Sequence, residues 1–369
     1  MKLELHRDPA VFETLKVDWN TLAEKGVTRV PFVSAEYQRA WWQHRGGGEW
    51  PEAELLVITA RADEGQLIGI APLFFAKNLD GRPALLFVGS IEISDYLDLV
   101  VAREQADSFC AALLDRLTEP DVPDWEVLDL YNIPESSPTR SALARAARDR
   151  GWPSVEQVLQ PVTVITRPDS WEAYLALLDK KERQEIKRKL RRASGNEEAM
   201  TWYRVGPEHN LQAELEAFLE LMALNDGKAR FLTPVMYAQF TETIRVLHEK
   251  RWLLLAFLKI NDDRAAAYLC FDFGNRLWVY NSAIDPRFSS LSVGWVLLAH
   301  LLQWAIENRR AAFDFMRGPE DYKLRFGGVP GKIYRLQISR RLTIEELGGE
   351  PACLMNEFEA DFFPPVRDA

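Results

Sequence analysis

The chain opens on a short alternating run, Lys2–His6, in which Leu3 and Leu5 share one side, the period of a half-buried strand. Apolar positions at helical spacing follow in Pro9–Glu24 and in Ser34–Arg45, the second with Ser34 as N-cap. The run LLVITARADEGQLIGIAPLFFAKN reads as a hairpin, with strands Leu55–Ala60 and Leu67–Phe75 around a turn at Asp63–Gly65. Further strands are predicted at Ala84–Val88, Tyr96–Val100, Glu126–Tyr131 and Val162–Thr166, with helices at Glu104–Leu117 and Thr139–Arg150. At Arg167–Ser170 the pattern restarts: Pro168 breaks what precedes, and Asp169 or Ser170 caps a helix that begins at Trp171 and carries on to Arg192. Helices at Leu211–Gly227 and Pro234–Glu249 lead into three strands, Trp252–Ile260, Ala265–Phe273 and Leu277–Ala283, joined by tight turns at Asn261–Asp263 and Gly274–Asn275. A loop, Asp285–Ser292, opens the long helix Val293–Arg309. Strand Ala312–Met316, a Gly/Pro-rich loop and strand Lys332–Ile338 follow.

This order of helices, three antiparallel strands, a strand–loop–helix and more strands occurs twice, with no sequence identity visible between the halves. It predicts a mixed α/β (α+β) protein of two similar domains, 1–165 and 166–345, each a largely antiparallel sheet flanked by helices, with a tail at 346–369. A length of 369 residues, about twice that of a typical domain, agrees. At 47% hydrophobic and 27% charged residues, disorder and fibrous folds are excluded. Three scattered cysteines and five histidines without an HxH or HxxxH pair argue against a disulfide framework and a metal site. MKLELHRDPA has no apolar core for a signal peptide. The longest apolar run, Val293–Ile306, is interrupted by His300 and Gln303 and falls short of the about 20 residues that cross a bilayer, so a cytoplasmic setting without a transmembrane segment is expected.

The net charge of −10 is uneven: residues 1–160 hold 16 Lys/Arg against 26 Asp/Glu, and residues 161–369 hold 29 of each. One stretch, Lys180–Arg192, has 8 basic and 2 acidic residues. This argues against DNA as a partner and leaves room for a local anion site. As a helix, the stretch would line Arg183, Lys187 and Arg191 along one face. It reads as a solvated amphipathic helix, or as a contact for a cofactor phosphate, an acidic acceptor or tRNA, tRNA being disfavoured by the acidic remainder. The 12 tryptophans, Trp41, Trp42, Trp202, Trp278 and Trp295 among them, fill a core or line a sugar site.

The chemistry concentrates in residues 278–328. Ser289, Ser290, Ser292 and Gly294 surround the start of the long helix, where unpaired N–H groups and the dipole favour a phosphate and Arg287 adds a charge. The same serines can simply cap the helix. No Walker A or GxGxxG motif is present. In FDFMRGPEDYKLRFGG, Asp314 ends a strand, and Glu320, Asp321, Tyr322, Lys323 and Arg325 sit in the following loop. Tyr322 can act as a general acid, with Glu320 or Asp314 as base; the alternative is a solvated turn. In SDYLDL, Asp95 and Asp98 can hold a cationic or hydroxyl-rich acceptor beside Tyr96, or cap a strand end.

These residues carry a resemblance. The strand WVYNSAID, the helix start SVGWVLLAHLL and the ending FDFMRGPEDYKLRFGG resemble the acyl-CoA N-acyltransferase (GNAT) superfamily. In the branch with two such domains they are similar to the cellulose-biosynthesis CelD/BcsL type, related to the Fem aminoacyl transferases. Asp314, Gly318, Tyr322, Lys323 and Phe326 match the ending D-F-x-x-G-x-x-x-Y-K-x-x-F. PFVSAEYQRAWWQHRG, IGIAPLFF and FVGSIEISDYLDLVV resemble the family's N-terminal domain, and the likeness covers roughly residues 10–340. It implies two tandem GNAT-like domains and an acetyl-CoA or other acyl-CoA donor on the second. The donor's pantetheine would lie along Ser282, Ala283 and Ile284, and its pyrophosphate at Arg287, Ser289, Ser290, Ser292, Val293 and Gly294. RFSSLSVG keeps Arg287 and Gly294 of the superfamily's phosphate loop and lacks its central glycines. The implied activity is direct acyl transfer to an amine of a small molecule or amino sugar, with Tyr322 as acid, Asp314 or Glu320 towards the amine, Lys323 beside them, and Asp95, Tyr96 and Asp98 toward the acceptor. A Fem-like use of charged tRNA and a non-catalytic scaffold in polysaccharide assembly are the alternatives.

Overall fold

The computed structural model describes residues 1–195 and 200–348. The strands are β1 (Lys2–His6), β2 (Glu54–Arg61), β3 (Leu67–Lys77), β4 (Pro83–Phe87), β5 (Val100–Val101), β6 (Val127–Pro134), β7 (Ser154–Thr166), β8 (Met200–Arg204), β9 (Leu253–Ile260), β10 (Asp263–Phe273), β11 (Arg276–Ile284), β12 (Ala312–Arg317) and β13 (Val329–Ser339). The described chain divides into two compact units, one of Met1–Gln160 with 332–348, the other Pro161–Gly331.

In the first unit the sheet order is β1-β2-β3-β4-β6-β13, with β5 beside β3. Short turns join β2 to β3 and β3 to β4, which pair antiparallel. The step from β4 to β6 is parallel and needs a crossover, supplied in part by the helix Ala106–Arg116. The second unit repeats the plan in the order β7-β12-β11-β10-β9-β8. Hairpins join β9 to β10 and β10 to β11, and the helix Val293–Glu307 crosses over to the parallel β12. That helix is apolar almost all round. It buries Val296, Leu297, Leu301 and Leu302 in the core of the unit, and the basic helix Lys180–Ala193 adds Ile186 and Ala193 to the same core. Each unit is therefore a mixed, largely antiparallel sheet flanked by helices.

Local signals set most elements, and the departures have local causes. The predicted helix Trp171–Arg192 breaks into Trp171–Leu177 and Lys180–Ala193: Leu178 is extended, and the Asp179 side chain accepts from Glu182 N to cap the second piece. Leu211–Gly227 breaks in the same way, into Leu211–Met222 and Asp226–Phe231, where Asn225 caps by accepting from Lys228 N. The predicted strand Tyr96–Val100 is reduced to the two residues of β5, and the loop after β12 holds a short helix, Asp321–Arg325. β13, placed with the second domain by chain order, pairs with β6 from Ile333↔Pro134 to Ser339↔Val127, so 332–348 group with the first unit. Periodicity identifies a strand but not its partner. Of the expected tail, residues 349–369 lie outside the described residues.

Candidate active site

The second unit contains a split in its sheet. β11 and β12 pair in parallel over Arg276↔Ala312, Leu277↔Phe313 and Trp278↔Asp314. β12 then kinks, with Met316 at φ 60°, and Arg317 pairs with Val162 of β7. β11 continues along β10 to Ile284↔Ala266, past a bulge at Leu269/Cys270. Beyond Trp278 it therefore has β10 on one side and, among the described residues, no paired strand on the other. At Ser282 two side chains take a strand's place: the N–H donates to Asn281 Oδ1 at 2.8 Å, and the C=O accepts from Lys228 Nζ. Ser282 and Ala283 are buried, and Ile284 is exposed.

β11 leads into the turn at the start of the crossover helix. Ser292 sits in the left-handed region (φ 56°) and makes no side-chain cap; its Oγ accepts from Lys189 Nζ at 3.0 Å. Arg192 Nη1 approaches the Ser290 carbonyl at 3.5 Å, and Ser289 O accepts from Ser292 N. The basic helix is thus brought against the Ser289–Gly294 turn, a juxtaposition that chain order did not reveal. Lys189 also lies 4.5 Å from the Trp295 ring centroid, and burial lowers its pKa. A Cβ at Gly294, next to Val293, would fall 2.5 Å from Ile284 Cδ1, the end of an exposed side chain that can turn aside. Arg287 folds back onto Asp285, with Nη2 2.7 Å and Nε 2.9 Å from Oδ2, and this pairing holds the Asp285 carboxyl below the usual range.

The loop after β12 separates the candidate catalytic residues by role. Asp314 is fully buried: Oδ2 accepts from Arg276 Nη1 at 3.0 Å and Oδ1 from Met316 N at 2.8 Å. Its carboxylate pins the kink of β12. Lys323 Nζ donates to the carbonyls of Arg317 (2.5 Å) and Gly318 (3.3 Å) and so holds the turn closed. Glu320 Oε2 lies 2.8 Å from Lys323 Nζ, at an angle that leaves this buried oxygen without a hydrogen bond. Tyr322 is half-buried and edge-on to Phe315, with its phenol deep. Burial first, then Tyr268 and Glu320, push its pKa well above the usual value, so it keeps its proton at neutral pH.

Lys228 was not anticipated. It is buried, its Nζ donates to Asn281 Oδ1 at 3.1 Å and to Ser282 O, and burial lowers its pKa to about 7, opposed by the Glu320 charge. The local cue is Asn225, a capping residue whose break in the helix turns Lys228 onto β11.

In the first unit the corresponding split is filled. β4 and β6 pair in parallel only at Ala84↔Val127 and Leu85↔Leu128. The chain then leaves β3 after Val88, whose N–H donates to Pro72 O, and returns to it as β5 at Val101↔Gly69. The excursion between them is buried except at Glu92 and is bound to β6 through Asn132: Asn132 O accepts from Leu97 N, and Asn132 Nδ2 donates to the carbonyls of Ile91 (3.0 Å) and Ser94 (2.7 Å). Asp95, Tyr96 and Asp98 belong to this excursion, all buried. Asp98 accepts from Thr28 Oγ1 at 2.5 Å and from Leu99 N at 2.8 Å, with Ser137 and Thr139 as further partners, while burial raises its pKa. It is an internal polar hub.

The superposable plan exposes a repeat that was not visible by eye. LDLYNIPE on β6 and FDFMRGPE on β12 share the aspartate, the proline and the glutamate. Asp129, the counterpart of Asp314, is likewise fully buried and paired, with Arg335 Nε and Nη2 each at 2.7 Å and Asn78 Nδ2 at 2.7 Å. An aspartate kept in the filled split as well as the open one has a structural task. Glu135, the counterpart of Glu320, is exposed, and the first unit continues SSPT where the second reads DYKL.

A parallel strand pair that splays beside a helix start agrees with the family comparison: residues 180–324, within the second unit, match the model of the acetyltransferase (GNAT) domain. The chain's fold is similar to that of FemX, at 12% identity and TM-score 0.63 over 94% of this chain and 98% of that one. It is also similar to a conserved protein of unknown function from Bacteroides thetaiotaomicron (12%, TM-score 0.59, 92% and 100%) and to L-PGS from Bacillus licheniformis (13%, TM-score 0.54, 94% and 96%). No curated protein matches the sequence. Among the described residues no helix is long and apolar enough to cross a membrane, and no group of three or more His, Cys, Asp or Glu side chains could hold a metal ion.

Proposed function

We propose that the chain is an acyltransferase that moves an acyl group from an activated carrier, acetyl-CoA or another acyl-CoA, directly to the amine of a small molecule or amino sugar. The observation that carries this reading is the open edge of β11. Its Ser282 N–H and C=O face away from β10 and are met only by side chains, so an extended, amide-containing chain could pair there. The Ser289–Gly294 turn follows directly, with Lys189 and Arg192 beside it, which suits a phosphate end. Arg287 would contribute only by leaving Asp285.

The chemistry asks for alignment, a polarised carbonyl and proton transfers. Tyr322, protonated at neutral pH, suits the acid that meets the departing thiolate. Asp314 and Lys323 shape the turn that carries it. Asp95 and Tyr96 remain candidates for the acceptor. A role in polysaccharide or cell-envelope synthesis of the CelD/BcsL kind fits an amino-sugar acceptor.

A second reading, Fem-like aminoacyl transfer from charged tRNA, is favoured by the likeness to FemX and by the basic helix Lys180–Ala193, whose Lys187, Arg188, Arg191 and Arg192 are exposed. Titration calorimetry separates the two. Micromolar binding of acetyl-CoA, weakened in Gly294→Trp, supports the first. Binding of charged tRNA without binding of any acyl-CoA, weakened in Arg188→Glu/Arg191→Glu, replaces it with the second. Binding of neither leaves a scaffold. Given activity, Tyr322→Phe should lower kcat by about 100-fold with an unchanged melting temperature; wild-type kcat would remove Tyr322 from the chemistry.

A further inference from the structure

The helix Lys180–Ala193 sorts its charges by face. Successive positions turn by about 100°, so with Ile186 toward the core an outward arc of about 140° takes Gln184 and the cations Lys180, Lys181, Lys187, Arg188, Arg191 and Arg192, every one exposed. Both glutamates fall outside the arc and are engaged: Glu182 Oε2 accepts from Arg325 Nε at 3.1 Å, and Glu185 meets Arg188 at 2.8 Å and Lys189 at 3.4 Å. Among the described residues, Lys180, Lys181, Lys187 and Arg191 form no ion pair. A protein of net charge −10 thus carries an acid-free basic stripe about 20 Å long.

The first turn of this helix adjoins exposed apolar side chains. Leu177, 76% exposed, stands just before the N-cap Asp179, and Leu324, 52% exposed, stands beside Arg325 on the helix Asp321–Arg325. The two segments are held together: Tyr174 Oη donates to Phe326 O at 2.9 Å, and Arg325 reaches the basic helix at Glu182. A single exposed leucine needs no explanation. Leucines at the end of an acid-free cationic stripe form the combination that seats a protein on charged lipid, where Lys and Arg are drawn to negative headgroups and apolar side chains enter the acyl boundary. The helix itself would stay on the surface, because Ile186 and Ala193 are committed to the core. Single-stranded RNA would be held by aromatic side chains among the cations, and the arc has none.

We propose that this face docks the protein on an anionic lipid bilayer, with the cations of the arc against the headgroup phosphates and Leu177 and Leu324 in the boundary beneath them. The proposal stands apart from the acyl-transfer reading and adds a place to it. Leu324 shares a short helix with Tyr322, so docking sets the loop of the candidate active site at the membrane surface.

The test is co-sedimentation of the full chain with vesicles of phosphatidylcholine alone and of phosphatidylcholine with about 30% phosphatidylglycerol. Wild type should bind the second and not the first, and should be released between about 0.1 M and about 1 M salt, as the Debye length falls from about 10 Å to about 3 Å. Lys180→Glu/Lys181→Glu should bind about tenfold more weakly, and Leu177→Ser/Leu324→Ser about threefold more weakly with the salt dependence kept. Lys25→Glu, at an exposed lysine of the first unit, should bind like wild type. All these positions are exposed, so melting temperatures should not move; if Leu324→Ser melts early, Leu177→Ser alone carries the apolar arm. Absence of binding to the anionic vesicles at low salt overturns the proposal. So does a Lys180→Glu/Lys181→Glu protein that loses no more than Lys25→Glu, or a leucine variant that binds like wild type. Binding of tRNA without binding of vesicles overturns it and gives the face to RNA. A protein that binds vesicles but neither binds a donor nor transfers an acyl group keeps this proposal and overturns the acyltransferase reading.

Discussion

The two units build the same sheet and treat its parallel split in opposite ways. In the first, strand β4 stops at Phe87, and an excursion over residues 88–99, tied to Asn132 at Ile91, Ser94 and Leu97, fills the gap before the chain rejoins β3 as β5. In the second, β11 runs unbroken to Ile284, and the exposed edge is covered by the tips of Asn281 and Lys228. A split closed by backbone has no edge left to offer. One closed by two side chains can be reopened by rotating them. The contrast also sorts the residues of the repeated motif. Its aspartate, present in both splits, is a fastener, whereas Tyr322 and Lys323 occur only where the split is open, and the shared glutamate is exposed as Glu135 but largely covered as Glu320.

The largest expected effect tests the fastener role. Asp129→Ala leaves Arg335, 3% exposed, with Asp80 at 3.1 Å in place of its two-point carboxylate partner and should cost about 3 kcal/mol in urea denaturation. Asp314→Ala strands Arg276, whose side chain is 38% exposed and can hydrate, so a smaller loss of about 1–2 kcal/mol is expected. Equal losses would contradict the difference in environment between the two arginines. Next, Asn132→Gly keeps the backbone freedom needed at φ 62° and removes the two bonds from Nδ2. It should cost about 2–3 kcal/mol and leave the donor Kd unchanged; a tightened Kd, or a second donor site, would show that the filled split is a latent one.

The last test reads a slope rather than a total: the response to pH, opposite in sign in the two units. Lys228 has a folded pKa of about 7, below its unfolded value, so the unfolded chain binds more protons between about pH 7 and 10.4 and stability rises with pH there, by at most about 1.4 kcal/mol per unit. Lys228→Met should flatten that rise. Asp98 has a raised folded pKa, so its contribution is present in acid and is lost as pH rises through that folded value. Asp98→Asn should remove this loss, which matching melting curves of wild type and variant across pH 4–7 would contradict.

Much of this molecule follows from local pattern. Alternation marks the hairpins Leu55–Phe75 and Trp252–Ala283, because a half-buried strand needs a two-residue period whatever it pairs with. Ser34 and Ser170 announce helix starts, because orphan N–H groups need an acceptor nearby. The turn Ser289–Gly294 and the motif around Tyr322 are contiguous and could be read directly. Tertiary structure decided what depends on distant partners. β13 belongs with β6 from some 200 residues earlier, and the basic helix lies against Ser292. Asp314 and Lys323, equally plausible as catalysts in the sequence, are committed to Arg276 and to a cluster of carbonyls. Lys228 is one of many lysines until burial against β11 shifts its proton into the neutral range. Hydrophobic period is a property of neighbours along the chain. The charge state and availability of a side chain depend on the dielectric and partners that folding brings to it.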